Sequence, residues 1–181
     1  MKIFVISDLH GSAQAFTGAM RAFELEGADL IVIAGDYLNH GPRNPLPQGY
    51  DPQALALLLN ERRERIVAVR GNCDSEVDQM LLAFPCLAEY STVFADGRRI
   101  FVTHGHRYAD DALPPLSAGD IYLCGHTHVP RIEERAGIIL INPGSISLPK
   151  GGFPASYALI EPTSLSIMSL AGELLFSRTL I

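Results

Sequence analysis

The stretch "CGHTH" places two imidazoles, His126 and His128, one residue apart directly after the apolar run "IYL". Four other apolar runs end in a similar way. "SDLHG" carries Asp8 and His10, "AGDY" carries Asp36, "RGNCD" carries Asn72, Cys73 and Asp74, and "VTHGH" carries His104 and His106. Neutral imidazoles, carboxylates and an amide oxygen are the ligand set of borderline divalent cations. Each group alone reads as a hydrogen-bonded buried polar residue. Their repetition at five equivalent places reads as one site. Asp8, His10, Asp36, Asn72, His104, His126 and His128 are too many donors for one ion, and a carboxylate can bridge two ions about 3.5 to 4 Å apart. Gly11, Gly35, Gly71, Gly105 and Gly125 stand beside these residues and let the backbone turn tightly.

The elements that must position these groups are legible nearby. "KIFVIS", "ADLIVIAGD" and "IVAVRGN" are short, almost wholly apolar runs, the mark of strands covered on both faces. Between them, "GSAQAFTGAMRAFELEG" predicts a helix capped at Ser12 and stopped at Gly27, with Ala15, Phe16, Ala19, Met20 and Phe23 on one face. "PQALALLLNERRER" predicts a second helix with Pro52 in its first turn and a solvated, charged end. The β-α-β-α-β order implies parallel strands with right-handed crossovers, and ligands in such sheets bind beyond the strands' carboxyl ends. A short helix is expected within "SEVDQMLLAF", with Asp74 as one candidate for its cap. "STVFADGRRIFVTHGH" predicts a hairpin about Asp96-Gly97, and "DIYLCGH", "GIILINPGS", "ASYALIEP", "LSIMSLAG" and "ELLFSRTL" predict further strands. Residues 1–181 read as a single α/β domain.

Composition narrows the function classes. The formal net charge of -6 offers no basic stripe for long nucleic acid, and Arg62, Arg63 and Arg65 alternate with glutamates. Cys73, Cys86 and Cys124 are odd in number and lack CxxC spacing, so no disulfide framework is expected. The first apolar run turns polar at Asp8, too soon for a signal peptide, and no stretch approaches a membrane span; a cytoplasmic protein is expected.

In order, "DLH", "GD", "GN", "THGH" and "GHTH" resemble the motif series of the calcineurin-like metallophosphoesterases, and "NHGPRN", "GNCDSEVDQM" and "NPGS" are closest to the small bacterial YfcE-type phosphodiesterases. The resemblance implies a four-layer αββα sandwich of two mixed β-sheets flanked by helices, with a dinuclear site at the strand ends. It implies that Asp8, His10 and His128 hold one ion, that Asn72, His104 and His126 hold the other, and that Asp36 bridges. Mn²⁺ is the expected metal, with Zn²⁺, Fe²⁺, Co²⁺ and Ni²⁺ also suited to this shell. Larger members carry "GNH" where this chain has Asn72-Cys73. A thiol is a poor acid near neutral pH, which points away from vigorous monoester hydrolysis and leaves Asp74 as an acid or orienting group.

The expected reaction is hydrolysis of a small-molecule or nucleotide phosphodiester by a metal-bridging hydroxide, with Asn72, His104 and Asp74 as catalytic candidates. Two divalent ions with only Asp8 and Asp36 as anionic ligands leave a site that hydroxide and one diester neutralise. Asn39, His106, Asn142 and Ser145 are candidates for holding the ligands or touching substrate, and Arg43 could pair with a phosphate. Three rivals stand beside this reading: a scaffold on the same fold, nucleophilic hydrolysis by Cys73, and a structural zinc cluster. The first is expected to have an eroded ligand set, the second needs a lowered thiol pKa, and the third favours closed, Cys-rich shells. The C-terminal strands suggest self-association into a homo-oligomer.

Overall fold

The computed structural model describes residues 1–108 and 113–180. Its first half is β1 (Ile3–Ile6), α1 (Ala13–Glu26), β2 (Leu30–Ile33), α2 (Pro52–Asn60), β3 (Ile66–Ala68) and α3 (Glu76–Leu81). The second half is β4 (Tyr90–Ala95), β5 (Arg98–Thr103), β6 (Ile121–Leu123), β7 (Arg131–Arg135), β8 (Ile138–Asn142), β9 (Ser156–Glu161), β10 (Ser164–Ser169) and β11 (Leu174–Thr179). Two mixed sheets result: a six-stranded one in the order β11-β10-β9-β1-β2-β3 and a five-stranded one in the order β4-β5-β6-β8-β7. β1, β2 and β3 run parallel, and β9 adds to β1 antiparallel. The C-terminal strands therefore complete the sheet begun by the N-terminus.

Strand alternation sorts the apolar side chains into layers. Ile3 and Val5 of β1, Val32 of β2 and Ala158 of β9 face Ile100, Val102, Ile121, Leu123, Ile139 and Ile141 across the space between the sheets. The intervening Phe4, Ile6, Ile33 and Leu159 face Phe16, Phe23, Leu55 and Leu59 of α1 and α2. On the far side of the five-stranded sheet, Phe101, Tyr122 and Leu140 are covered by Tyr108, Leu113 and Leu116 of the connecting segment. Because three strands of each sheet are buried on both faces, they read as continuous apolar runs.

Ser12 caps α1 by accepting from Ala15 N–H, and Gly27 ends it in a left-handed conformation, as expected. The predicted hairpin forms between β4 and β5, with Asp96 and Gly97 at φ 51° and 79°. Two expectations change. α2 stops at Asn60, whose side chain bonds Leu81 O and Ala83 N–H, and Arg63–Arg65 form one 3₁₀ turn. β7, "RIEER", was not foreseen, because it is a charged sheet edge paired only with β8.

Candidate metal centre

The ends of β1, β2, β3, β5 and β6 meet at one rim, bringing together all seven expected donors. Asp8 Oδ1 lies 3.7 Å from His10 Nε2, 3.3 Å from His128 Nε2 and 4.0 Å from His104 Nε2. Asp36 Oδ2 lies 3.6 Å from His10 Nε2 and 3.5 Å from His104 Nε2, a central position. Asn72 Oδ1 is 3.0 Å from His104 Nε2, and the His126 ring sits 5.1 Å from that of His104. Asp8, His10 and His128 offer atoms all within 4.8 Å of one another, and so do Asp8, Asp36 and His104.

Backbone strain accompanies this convergence. Asp8, His10, Asp36, His126 and His128 all adopt left-handed backbone, with φ between 46° and 68°. Such conformations cost roughly 1 kcal/mol or more apiece for side-chain-bearing residues. Among the described residues, the other non-glycine residues with positive φ, Asp96 and Ala136, sit in hairpin turns. The turns fit because two glycines leave room. A Cβ at Gly71 would collide with the Asp36 carboxylate, and one at Gly125 with Ser7 Oγ.

Hydrogen bonds fix the tautomers. His10 Nδ1 meets Asn39 O at 3.0 Å, His104 Nδ1 meets Ala34 O at 2.6 Å, and His128 Nδ1 meets Leu148 O at 2.6 Å. A carbonyl only accepts, so each Nδ1 carries a proton and each ring turns its Nε2 inward. His10 Nε2 and His128 Nε2 then face each other at 3.2 Å. Asp8 Oδ1 is fully buried without a hydrogen-bond partner. An orphaned carboxylate oxygen ringed by inward-turned imidazole nitrogens is a cradle that fits cations. Titration agrees. Burial opposes the Asp8 charge, but His128 and His104 hold its carboxyl below the usual range. Burial likewise opposes the Asp36 charge, and His104 outweighs it. The His104 imidazole, despite burial, is raised to about 9 by Asp36 and Asp8, so a proton there takes the place of positive charge the carboxylates require. Burial keeps His10 neutral, and burial with His104 does so for His126.

The remaining candidates separate clearly. Asp74 is not the cap of α3. That end is held by the Asp78 carboxylate, which accepts from Ser75 N–H and Oγ. Burial and the Asp36 charge raise the Asp74 carboxyl to about 7. Its oxygens accept the backbone N–H groups of Asp36, Tyr37 and Gly71 at 2.6–2.8 Å, so it orients the turns that carry the donors. Asn142 Nδ2 donates to Gly125 O and Thr127 Oγ1, Ser145 Oγ donates to Asp8 O, and Asn39 contributes its carbonyl to His10. His106 lies behind the ring of His104, 5.3 Å away, and its Nδ1 is buried without a partner. Cys73 N–H donates to Asp36 Oδ1, while burial and Asp36 push its thiol up to about 12, which disables it as a nucleophile.

The donors open onto a cavity of about 990 Å³ whose wall includes Asp36, Asn72, His126, His128 and Arg43. Thr127 and Lys150 also line it, and no spacing or periodicity in the sequence pointed to either.

A profile of the "Calcineurin-like phosphoesterase superfamily domain" matches residues 1–164. The chain is 47% identical over 181 residues to "Phosphodiesterase YfcE" of Escherichia coli (strain K12), covering all of this chain and 98% of the relative. The solved structure described as "Yfce, a phosphoesterase from E. coli" superposes with TM-score 0.97 at 46% identity, covering 100% of both chains. Vps29 from Entamoeba histolytica, solved in complex with Zn²⁺, shares the fold at TM-score 0.62 and 20% identity over 100% of both chains. An imidazole-carboxylate cradle at the strand ends and a profile match along nine-tenths of the sequence lead to one conclusion: the chain belongs to the calcineurin-like phosphoesterase superfamily.

Proposed function

We propose that this protein is a metal-dependent phosphodiesterase acting on small-molecule diesters, with Asp8, His10 and His128 holding one divalent ion, Asn72, His104 and His126 a second, and Asp36 shared. The observation that carries this reading is the unpartnered Asp8 Oδ1 beside three imidazoles whose Nδ1 atoms are all committed to backbone carbonyls. Bound there, divalent ions supply charge for the phosphate oxygens and make water a stronger nucleophile near neutral pH. The chain does the positioning. Rigid strand ends fix the donors, Asp74 and Asn142 hold the turns, and Asn72, exposed on the cavity wall, presents its amide to an entering phosphate. His104 holds a site proton in the metal-free protein and yields it when the site fills.

Two features favour diesters. The cavity greatly exceeds one phosphate, leaving room for a group on either side of phosphorus. Cys73 offers no ready proton to an alkoxide leaving group. Mn²⁺ is our proposed metal because a mixed oxygen and imidazole shell suits it. The formal charge of -6 argues against long nucleic acid as substrate. No helix among the described residues is long and apolar enough to cross a membrane, and we place the protein in the cytoplasm as a single domain. Self-association would use β11, an edge of the six-stranded sheet.

The test is hydrolysis of bis(p-nitrophenyl) phosphate by chelator-stripped protein, with and without added Mn²⁺. Activity should vanish on stripping and return with metal. Undiminished turnover in the stripped sample rules the reading out. Turnover absent under all conditions, with metal still bound, would favour a scaffold.

A further inference from the structure

Two loops supply the carbonyls that lock His10 and His128, and each sends a cation into the same cavity. Asn39 O takes His10 Nδ1, and Arg43 follows four residues later. Leu148 O takes His128 Nδ1, and Lys150 follows two residues later. Both loops are fixed. Asn39 Oδ1 accepts Gly41 N–H at 2.8 Å, Asn44 N–H reaches Gly41 O at 3.0 Å, and Lys150 N–H reaches His128 O at 3.1 Å. The cations are therefore placed relative to the metal centre by backbone rather than by chance packing.

Their surroundings are unusual for this chain. Acidic residues outnumber basic ones 20 to 14, yet among the described residues only Asp36 brings a carboxylate to the cavity wall. Elsewhere Lys2, Arg62, Arg99, Arg107 and Arg178 pair with glutamates or aspartates, while exposed Arg21 and Arg65, outside the cavity wall, have no acidic partner among the described residues. Among the described residues neither Arg43 nor Lys150 has an acidic partner, although both are exposed and free to find one. Unpaired cations aimed into a large cavity of an acidic protein are a recognition feature for anions. A diester's single negative charge belongs beside the donor set, which leaves two cations without a counterpart. Pro42 and Pro45 form a stiff apolar stretch of wall beside Arg43, suited to the body of a substrate rather than to another charge.

We infer that Arg43 and Lys150 form an anion subsite that selects phosphodiesters bearing a second anionic group away from the scissile phosphorus. This rests on the phosphodiesterase reading and deepens it. The test compares matched substrates on the Mn²⁺-loaded protein: thymidine 5′-(p-nitrophenyl phosphate), its 3′-phosphorylated form and its 3′-O-succinyl ester. The wild type should favour the 3′-phosphorylated substrate roughly tenfold in kcat/KM, mainly through KM, as expected for two charge-assisted contacts on a partly exposed wall. The ratio should fall toward one in the Arg43→Gln, Lys150→Gln double variant, and also in the wild type at about 0.5 M salt, where screening is short-ranged. A preference shared by the succinyl ester assigns the subsite to anions generally; one confined to phosphate assigns it to phosphoryl groups. A wild-type ratio of one overturns the inference. So does an equal loss on all substrates in the double variant, which would mean that the cations serve the scissile phosphate. Failure to cleave any of the three, with metal bound and the fold intact, would instead sink the phosphodiesterase reading beneath it.

Discussion

The two halves of the candidate centre are built differently. Asp8, His10 and His128 are 0%, 0% and 2% exposed, with two of the imidazoles locked to carbonyls. Across Asp36, His104 is equally buried, but Asn72 is exposed and His126 half-buried on the cavity wall, with no carbonyl holding the His126 ring among the described residues. The closed half is almost wholly buried, its imidazoles are held by carbonyls, and it is suited to a permanent ion. The open half trades rigidity for access, as the side facing substrate must. One site can thus combine tight retention of charge with exchange at its rim.

The severest test of that division is the residue common to both halves. Asp36→Ala should abolish diester hydrolysis by several orders of magnitude in a Mn²⁺-supplemented assay, because both halves lose a carboxylate at once. Comparable activity in the variant would break the shared-centre picture. Calorimetric titration with Mn²⁺ separates the halves themselves. His10→Ala should bind one ion fewer, whereas Asn72→Ala should keep both and weaken the second on the order of 10- to 100-fold. The reverse pattern would exchange the labels of closed and open.

A smaller effect is expected from the support beneath them. Asp74→Ala orphans three buried backbone N–H groups and should lower stability to urea by about 2 to 4 kcal/mol, whereas Asp74→Asn should recover part of it. Equal losses in the two variants would show that packing, not hydrogen bonding, is what Asp74 contributes. The mildest test is pH. In stripped protein the His104 imidazole stands above its ordinary 6.5, at about 9, because the Asp36 and Asp8 carboxylates outweigh burial. A raised folded-state pKa stabilises fully below 6.5 and is lost as pH climbs through 9. The Tm of stripped protein should therefore fall across that window. With Mn²⁺ the fall should shrink, since the ion replaces the proton. A stripped-protein Tm that does not move with pH would sharpen the comparison against the His104 half.

What could be read without coordinates was what depends on near neighbours in the chain. The α1 cap at Ser12, its stop at Gly27, the Asp96-Gly97 turn and the apolar runs ending in Asp, Asn or His are local chemistry, and they appear where expected. The charged edge β7 escaped notice because an edge strand needs no apolar alternation. The end of α2 was set by Asn60 bonding to Leu81 and Ala83, a contact no helical periodicity encodes. Asp74 looked like a cap by its position and became a clamp because Asp36, Tyr37 and Gly71 converge on it from two strand ends. Lys150 carries no motif and acquires meaning only from the His128 carbonyl that seats its loop. Which groups the protein owns, and that each stands at the end of a buried strand, follows from the order of residues alone. That they face one another, with imidazole nitrogens turned inward around an unpartnered carboxylate oxygen, came from the folded chain alone. Left-handed turns and the meeting of distant strands are settled by packing energy summed over the whole fold, which no short stretch of chain contains.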